Sequence, residues 1–488
     1  MKKSLKKNAV LNSLRMILRL IFPIIEIPYI SRVLGVENLG KYNFAYSIVN
    51  YFILIAGLGI STFAVREGAQ YRDNKERFNK FASEVFTINM FSTILSYILL
   101  LICLLFIPNL TNYKILIIIL SLEIILTTIG CEWVYTIYED YGYITIRTII
   151  FQIISLILLL IFVRNSNDLI IYTIIMVISA TGCNILNLKY LKKYCKLKFV
   201  VDKNTKKYIV PILILFANSV TTTIYCNSDI TILGILANDY YVGVYSISAK
   251  IYNAIKQIIS SIIIVSIPRL SYLLGNNKKE EFKNTASKIL QTLIVVLFPV
   301  MFGIISIAYQ TIYIIAGIKY IEGVRSLQIL AIALMFCIFG WFYTSCILIP
   351  AKKEKFVLKY TIVAALANII LNILFIPKFK QDAAAFTTAL AEAISFIMCY
   401  IKSKEVVKID VPIKTILKTL IGSFGIFVFC LLINKFTNLN IIVNTVVSIL
   451  GSVAIYVGLE FLLKNDIFID LFNSVIKKFI KKVNKAEE

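Results

Sequence analysis

AVLNSLRMILRLIFPIIEIPYI, residues 9–30, is a run of 22 residues whose only charged side chains are Arg15, Arg19 and Glu26. A helix needs about 20 predominantly apolar residues to cross a bilayer core, and this run supplies them. The rest of the chain repeats the pattern: 59% of its 488 residues are hydrophobic, 16% are charged, and the mean hydropathy is +0.83. Fourteen spans would use about 280 residues, close to the apolar total, so the expected fold is an all-α polytopic bundle. MKKSLKK ahead of the run looks like the start of a signal peptide, but no small-residue cleavage site follows it. The run is expected to be the first span.

Apolar runs place spans near 9–30, 42–65, 81–107, 115–135, 146–163, 169–188, 208–228, 242–268, 289–308, 326–349, 361–377, 383–401, 415–433 and 441–463. The stretch 309–324 either extends the ninth helix or lies in the interface. With the amino terminus inside, the inner segments hold 38 Lys and Arg, Arg147 among them, and the outer connections nine. That asymmetry is the positive-inside pattern. It accounts for most of the formal net charge of +24 without a nucleic acid or other polyanion, and it puts both termini in the cytoplasm. The expected organisation is a six-helix lobe at 1–190, a basic connector at 191–207, a second six-helix lobe at 208–405, helices thirteen and fourteen at 406–463, and a tail at 464–488. The tail reads as a basic amphipathic helix lying on the anionic inner leaflet, with Ile467, Leu471, Val475, Phe479 and Val483 opposed to Lys477, Lys478, Lys481 and Lys482.

Histidine is absent, which excludes imidazole-based catalysis and proton relays. Nine scattered cysteines with no C-x-x-C pair make a metal centre or disulfide scaffold unexpected. No phosphate-binding loop is present, so no ATP chemistry is expected. Short outer connections leave no room for a catalytic domain. The chain is therefore read as a transporter and not an enzyme, with no metal and no cofactor.

LGVENLGKYNFAYSIVN (34–50) is similar to NDYYVGVYSISAKIYN (238–253). An offset of 203 residues superimposes Gly40 on Gly243, Tyr42 on Tyr245 and Asn50 on Asn253, and carries Arg66 onto Arg269 and Glu26 onto Asp229. Such a repeat implies two related six-helix halves with a substrate site at their interface. At roughly 100° per residue, Asn8, Asn12, Arg15, Arg19 and Glu26 share a stripe about 60° wide. Asn218, Thr222, Tyr225 and Asp229 form a second on span seven, and Ser246, Lys250, Asn253 and Gln257 a third on span eight. Asn43, Ser47 and Asn50 match the third stripe on span two. A charge at the bilayer centre costs about 2.5–3.5 kcal/mol on insertion scales, so these faces are expected to line a wet, cationic cavity. Pro23 and Pro28 suggest a kink in span one. Glu392 on span twelve either neutralises a lysine, binds a coupling cation, or is capped by Asn368 or Asn372; the same wheel gives no role for Lys256.

SRVLGVENLGKYNFAYSI (31–48), GLGISTFAVRE (57–67) and DITILGILANDYYVGVYSISAKI (229–251) resemble the Wzx-type polysaccharide repeat-unit flippases of the multidrug/oligosaccharidyl-lipid/polysaccharide exporter superfamily. The resemblance implies two pseudo-symmetric six-helix lobes around a central cationic cavity, two extra helices, and alternating access. It implies as cargo an oligosaccharide on undecaprenyl pyrophosphate, moved from the inner to the outer leaflet of a bacterial cytoplasmic membrane. Polysaccharide polymerase and chain-length regulator are the partners it suggests, and Na+, H+ or the membrane potential the candidate drivers. Arginines of the first, second and eighth helices line the cavity of related lipid II flippases. Arg15, Arg19, Arg66, Arg269 and Lys250 occupy comparable helices here, with Asn50, Asn218, Asn253, Gln257 and Tyr225 as sugar-binding candidates. Glu26, Asp229 and Glu392 are the coupling or positioning carboxylates. The rival readings are a lipid II flippase, a drug/cation antiporter, and a membrane-embedded polymerase or glycosyltransferase.

Overall fold

The computed structural model describes residues 5–200 and 206–484, and within them every side chain except those at 5–10, 12–20, 206, 218, 475 and 478–484. Among the described residues all regular structure is helical. The α-helices are α1 (Leu5–Gly57), α2 (Ile60–Gly68), α3 (Lys75–Phe106), α4 (Lys114–Gly130), α5 (Glu132–Ile137), α6 (Tyr141–Phe162), α7 (Leu169–Val177), α8 (Asn184–Tyr190) and α9 (Lys206–Leu236). They continue as α10 (Asp239–Gly275), α11 (Lys279–Ser306), α12 (Ala308–Ala316), α13 (Gly323–Phe342), α14 (Glu354–Ser403), α15 (Ile413–Phe436), α16 (Ile441–Leu462) and α17 (Asp466–Asn484). Twelve helical stretches among the described residues are long and apolar enough to cross a membrane.

Two of them exceed a single pass. α1 has 53 residues and α14 has 50, roughly 75–80 Å at 1.5 Å per residue against a core of about 30 Å. Each leaves helical geometry near its middle, at Gly35 (φ 76°) and Lys380 (φ 51°), inside the turns expected after spans one and eleven. α1 keeps helical geometry through Pro23 and Pro28, and its break falls on a glycine, which reaches positive φ readily. At the second break the Lys380 ammonium donates to the Pro377 carbonyl at 3.0 Å. Span four is also interrupted: α4 stops at Gly130, and Cys131 takes a left-handed conformation (φ 42°) before α5. Single π-turns at Ile178–Gly182 and Tyr343–Leu348 interrupt the sixth and tenth spans. Residues 309–324 do not prolong the ninth helix, which ends at Ser306; they hold α12 and a short 3-10 turn.

The chain packs as two compact units, 1–243 and 244–488. In the first, α9 lies against α1 and α2. Gly40 shows why the packing is close. A Cβ there would stand 1.8 Å from the Asp239 carbonyl oxygen and 3.0 Å from the Gly243 nitrogen, and a Cβ on Gly243 would stand 2.1 Å from the Val36 oxygen. The two glycines related by the repeat therefore mark one backbone-to-backbone crossing. An aromatic core built on Phe63, Phe78, Phe81, Trp133 and Tyr135 joins α2, α5 and the lysine- and arginine-rich start of α3.

In the second unit α13 packs on α14, α11 on α15, and α15 on α16. α17 is the helix expected of the tail. Phe468 meets Tyr456 and Phe461 edge-on, each at 5.7 Å, and Phe461 meets Phe472 at 5.2 Å. Its leading apolar residues pack against α11 and α16.

Candidate functional site

Asn8, Asn12, Arg15, Arg19 and Asn218 lie outside the described side chains, so the structure speaks to the remaining candidates. In the first unit Glu26 is buried (4% exposed), and the Tyr172 hydroxyl donates to its Oε1 at 2.9 Å. The Tyr172 ring meets Tyr42 edge-on at 4.8 Å, and Tyr42 stacks on Tyr46 at 5.9 Å. Glu123 of α4 is equally buried. A buried acid must be neutralised or hydrogen-bonded, and Glu26 meets the second condition through a phenol.

Spans two and seven meet within this unit at Thr231, which is not one of the residues of the expected stripe. Thr231 donates to Ser47 Oγ at 3.0 Å and lies 3.1 Å from the Tyr51 hydroxyl. Asp229, two residues earlier on α9, is buried, while Tyr225 and Asn50 are partly exposed. Asn43 turns back onto its own helix, donating to the Leu39 carbonyl at 2.7 Å.

In the second unit α10 carries Ser246 buried, Lys250 partly buried, and Asn253 and Gln257 exposed. Lys256, unexplained by the helical wheel, has its partner on α14: its ammonium stands 3.8 Å from Glu392 and 5.5 Å from the centre of the Tyr252 ring. Of the three roles open to Glu392, neutralisation of a lysine is the one the geometry shows. Asn372 donates to Asn368 at 3.1 Å and accepts a short hydrogen bond from Thr387. Arg66 and Arg269 both end their helices exposed, beside local carboxylates: Arg66 at 3.1 Å from Glu67, Arg269 at 3.7 Å from Glu281.

Sequence reasoning misplaced Arg147. Counted with the inner loop cations, it lies inside α6, only 3% exposed. Its guanidinium donates to Glu132 at 2.8 Å and to Asn184 at 3.1 Å, with the rings of Tyr143 and Tyr135 at 5.5 and 5.8 Å. Beside it, Tyr190 and Tyr194 both donate to Asp140. Burial pushes the Tyr194 hydroxyl well above its usual pKa, and its hydrogen bond to Asp140 adds to the shift. The available signal was Glu132, an acid 15 residues upstream across a turn.

An apolar groove of about 490 Å3 runs between α11, α15, α16 and α17, lined by Val295, Pro299, Gly303, Ile426, Val453 and Phe472 among others. Its apolar lining suits a hydrocarbon chain.

The sequence profile of the family described as "Polysaccharide biosynthesis protein" matches residues 5–274. The "Capsular polysaccharide biosynthesis protein CapF" of Staphylococcus aureus is 26% identical over 386 residues, which is 76% of this chain and 92% of that one. A protein of Escherichia coli (strain K12) named "Putative O-antigen transporter" is 22% identical over 283 residues, 57% of this chain and 67% of its own. Among solved structures, lipid II flippase MurJ in an inward closed conformation superimposes with a TM-score of 0.75 at 17% identity, covering 94% of this chain and 100% of that one. At that identity the likeness concerns the fold.

Proposed function

Because the chain belongs to the polysaccharide biosynthesis protein family, we propose that it is a flippase for lipid-linked oligosaccharide repeat units of a bacterial cell-surface polysaccharide. The cargo passes from the inner to the outer leaflet of the cytoplasmic membrane by alternating access, with both chain termini on the cytoplasmic side. The observation that carries this reading is the family match over residues 5–274, which includes the polar faces of the first, second, seventh and eighth spans.

The physical chemistry fits an undecaprenyl pyrophosphate carrier. A pyrophosphate cannot enter hydrocarbon without replacing its water, and guanidinium groups supply charge-assisted hydrogen bonds that do so. Arg15, Arg19 and Lys250 attract the headgroup, with Arg66 and Arg269 available at the cytoplasmic helix ends. Lys250 offers a point charge where an arginine would offer a bidentate fork. Asn50, Asn218, Asn253, Gln257 and Tyr225 hydrogen-bond sugar hydroxyls. Glu26 and Asp229 position the cations or take a coupling Na+ or H+, and the groove of α11, α15 and α16 holds the polyprenyl tail. A polymerase and chain-length regulator receive the product.

The test is to delete the gene in its bacterium and fractionate lipid-linked saccharides by leaflet, using an enzyme that modifies outward-facing sugars. Completed repeat units should accumulate on the inner leaflet. Normal outward delivery of unpolymerised units would favour a polymerase instead. In the complemented strain, Arg19→Ala should abolish export while folded protein persists at its normal level; wild-type export would remove Arg19 from the site.

A further inference from the structure

Beyond the apolar groove, at the end of the second unit away from α17, lies a cavity of quite different chemistry. Its volume is about 620 Å3, and none of its twelve lining residues is charged. Five are carboxamides, Gln310, Gln328, Asn434, Asn438 and Asn444, joined by Tyr309. The cavity draws on α11, α12, α13, α15, α16 and the connection between the last two, residues 437–440. That connection and the one at 309–324 face outward in the orientation proposed above.

The amides form a built arrangement. Gln310 is 5% exposed, and its Nε2 donates to Asn434 Oδ1 at 2.8 Å and toward Asn444 Oδ1 at 3.4 Å. Its own Oε1 is buried with no partner among the described residues. Holding two asparagine oxygens on one amide commits their acceptors, and among the described residues neither Asn434 nor Asn444 has a protein acceptor for its NH2 group. The exposed Asn434 side chain leaves its NH2 group available at the cavity, and a ligand rich in hydroxyls can accept from it. A carboxamide offers both donor and acceptor atoms in one plane, which matches adjacent sugar hydroxyls. Tyr309 is 46% exposed and stacks on Tyr313 at 6.3 Å, giving the rim a flat apolar face against which a pyranose C–H face can pack. A cavity without a single charge lacks the cationic groups that hold a pyrophosphate.

Cavity and groove adjoin along one face of α16. Asn444 lines the first and Ser448 the second, one turn apart, and Ser448 donates to Asn444 Oδ1 at 3.2 Å. We propose that this amide cup is an outer-leaflet subsite for neutral sugar units of the cargo, engaging the saccharide as it leaves. The proposal rests on the flippase reading and adds a second sugar site, remote in sequence from the cationic stripes.

The experiment places a photoreactive benzoylphenylalanine at Tyr309 or, separately, at Asn253 in the full chain, reconstituted in nanodiscs. The probe is the lipid-linked saccharide fraction extracted from the deletion strain. After irradiation and mild acid, which cleaves the pyrophosphate–sugar bond, intact-mass spectrometry reads any saccharide left on the protein. Attachment at Tyr309, reduced about tenfold by the exposed-site change Asn434→Leu, is the expected result. Attachment at Asn253 but not at Tyr309 overturns the cup and leaves the flippase reading intact, the cavity then being a water-filled pit. Attachment at Tyr309 that Asn434→Leu leaves unchanged also overturns it, because the amides then do no recognition. Attachment at neither position overturns both readings.

Discussion

Glu26 in the first unit and Glu392 in the second are both buried acids on membrane-spanning helices, yet they are held in opposite ways. A neutral tyrosine hydroxyl serves Glu26 at 2.9 Å, whereas Glu392 faces the Lys256 ammonium at 3.8 Å. The Gly40–Gly243 crossing joins two positions that the repeat relates, whereas the two acids stand at positions that it does not relate. Breaking the crossing should damage the whole fold, and breaking the contacts of either acid should damage its own unit.

The largest effect is expected at the crossing. Gly40→Val places a Cβ where the Asp239 carbonyl oxygen stands, 1.8 Å away, and backbone on both sides leaves nothing to yield. The variant should give almost no monodisperse protein on size-exclusion of a fluorescent fusion. Gly57→Ala, whose Cβ would meet nothing within 4 Å, should extract normally. Normal behaviour of Gly40→Val would mean that the repeat crossing is not structural.

How much of this was readable in the sequence follows the reach of each signal. Hydropathy depends on neighbouring residues alone, and the apolar runs, the turn before span two, the turn before span twelve and the split between α9 and α10 were all legible. The glycine match at offset 203 likewise pointed to a contact that exists. What failed depended on partners far along the chain. Arg147 sits at the border of an apolar run and looks solvated until Glu132 and Asn184 are folded onto it. Lys256 looked purposeless because a wheel drawn on α10 cannot show Glu392 on α14. The π-turns leave no compositional mark. In the amide cavity every contributing asparagine and glutamine was visible, but three of its five carboxamides lie in or beside the outer connections at 309–324 and 434–440, where polar residues are expected and draw no notice.

The comparison of the two acids is sharpened by neutralising each. Glu392→Gln leaves Lys256 without its carboxylate, and Lys256→Met leaves Glu392 buried without a cation. Full burial would make either change worth about 3–5 kcal/mol, but Lys256 is 31% exposed, so about 1–2 kcal/mol is expected, with the double variant recovering part of it. Glu26→Gln preserves an acceptor for Tyr172 and should cost less than about 1 kcal/mol. Thermal unfolding in one detergent orders the three; equal losses at Glu26 and Glu392 would erase the distinction between the units.

The smallest stability effects belong to Arg66 and Arg269, and there the comparison turns from structure to transport. Both guanidinium groups are exposed, 58% and 60%, and each pairs with a carboxylate of its own neighbourhood. Exposed ion pairs contribute about 0–1 kcal/mol, so Arg66→Ala and Arg269→Ala should unfold within a degree or two of the parent. If these residues only hold Glu67 and Glu281, export by each variant should match the parent. If they receive the pyrophosphate at the cytoplasmic face, export should fall severalfold, and Arg→Lys should restore part of it because a single charge still attracts phosphate without the bidentate fork. Unequal losses at the two positions would show that the halves differ in the way the headgroup enters, and equal losses that the cytoplasmic ends still work as a symmetric pair.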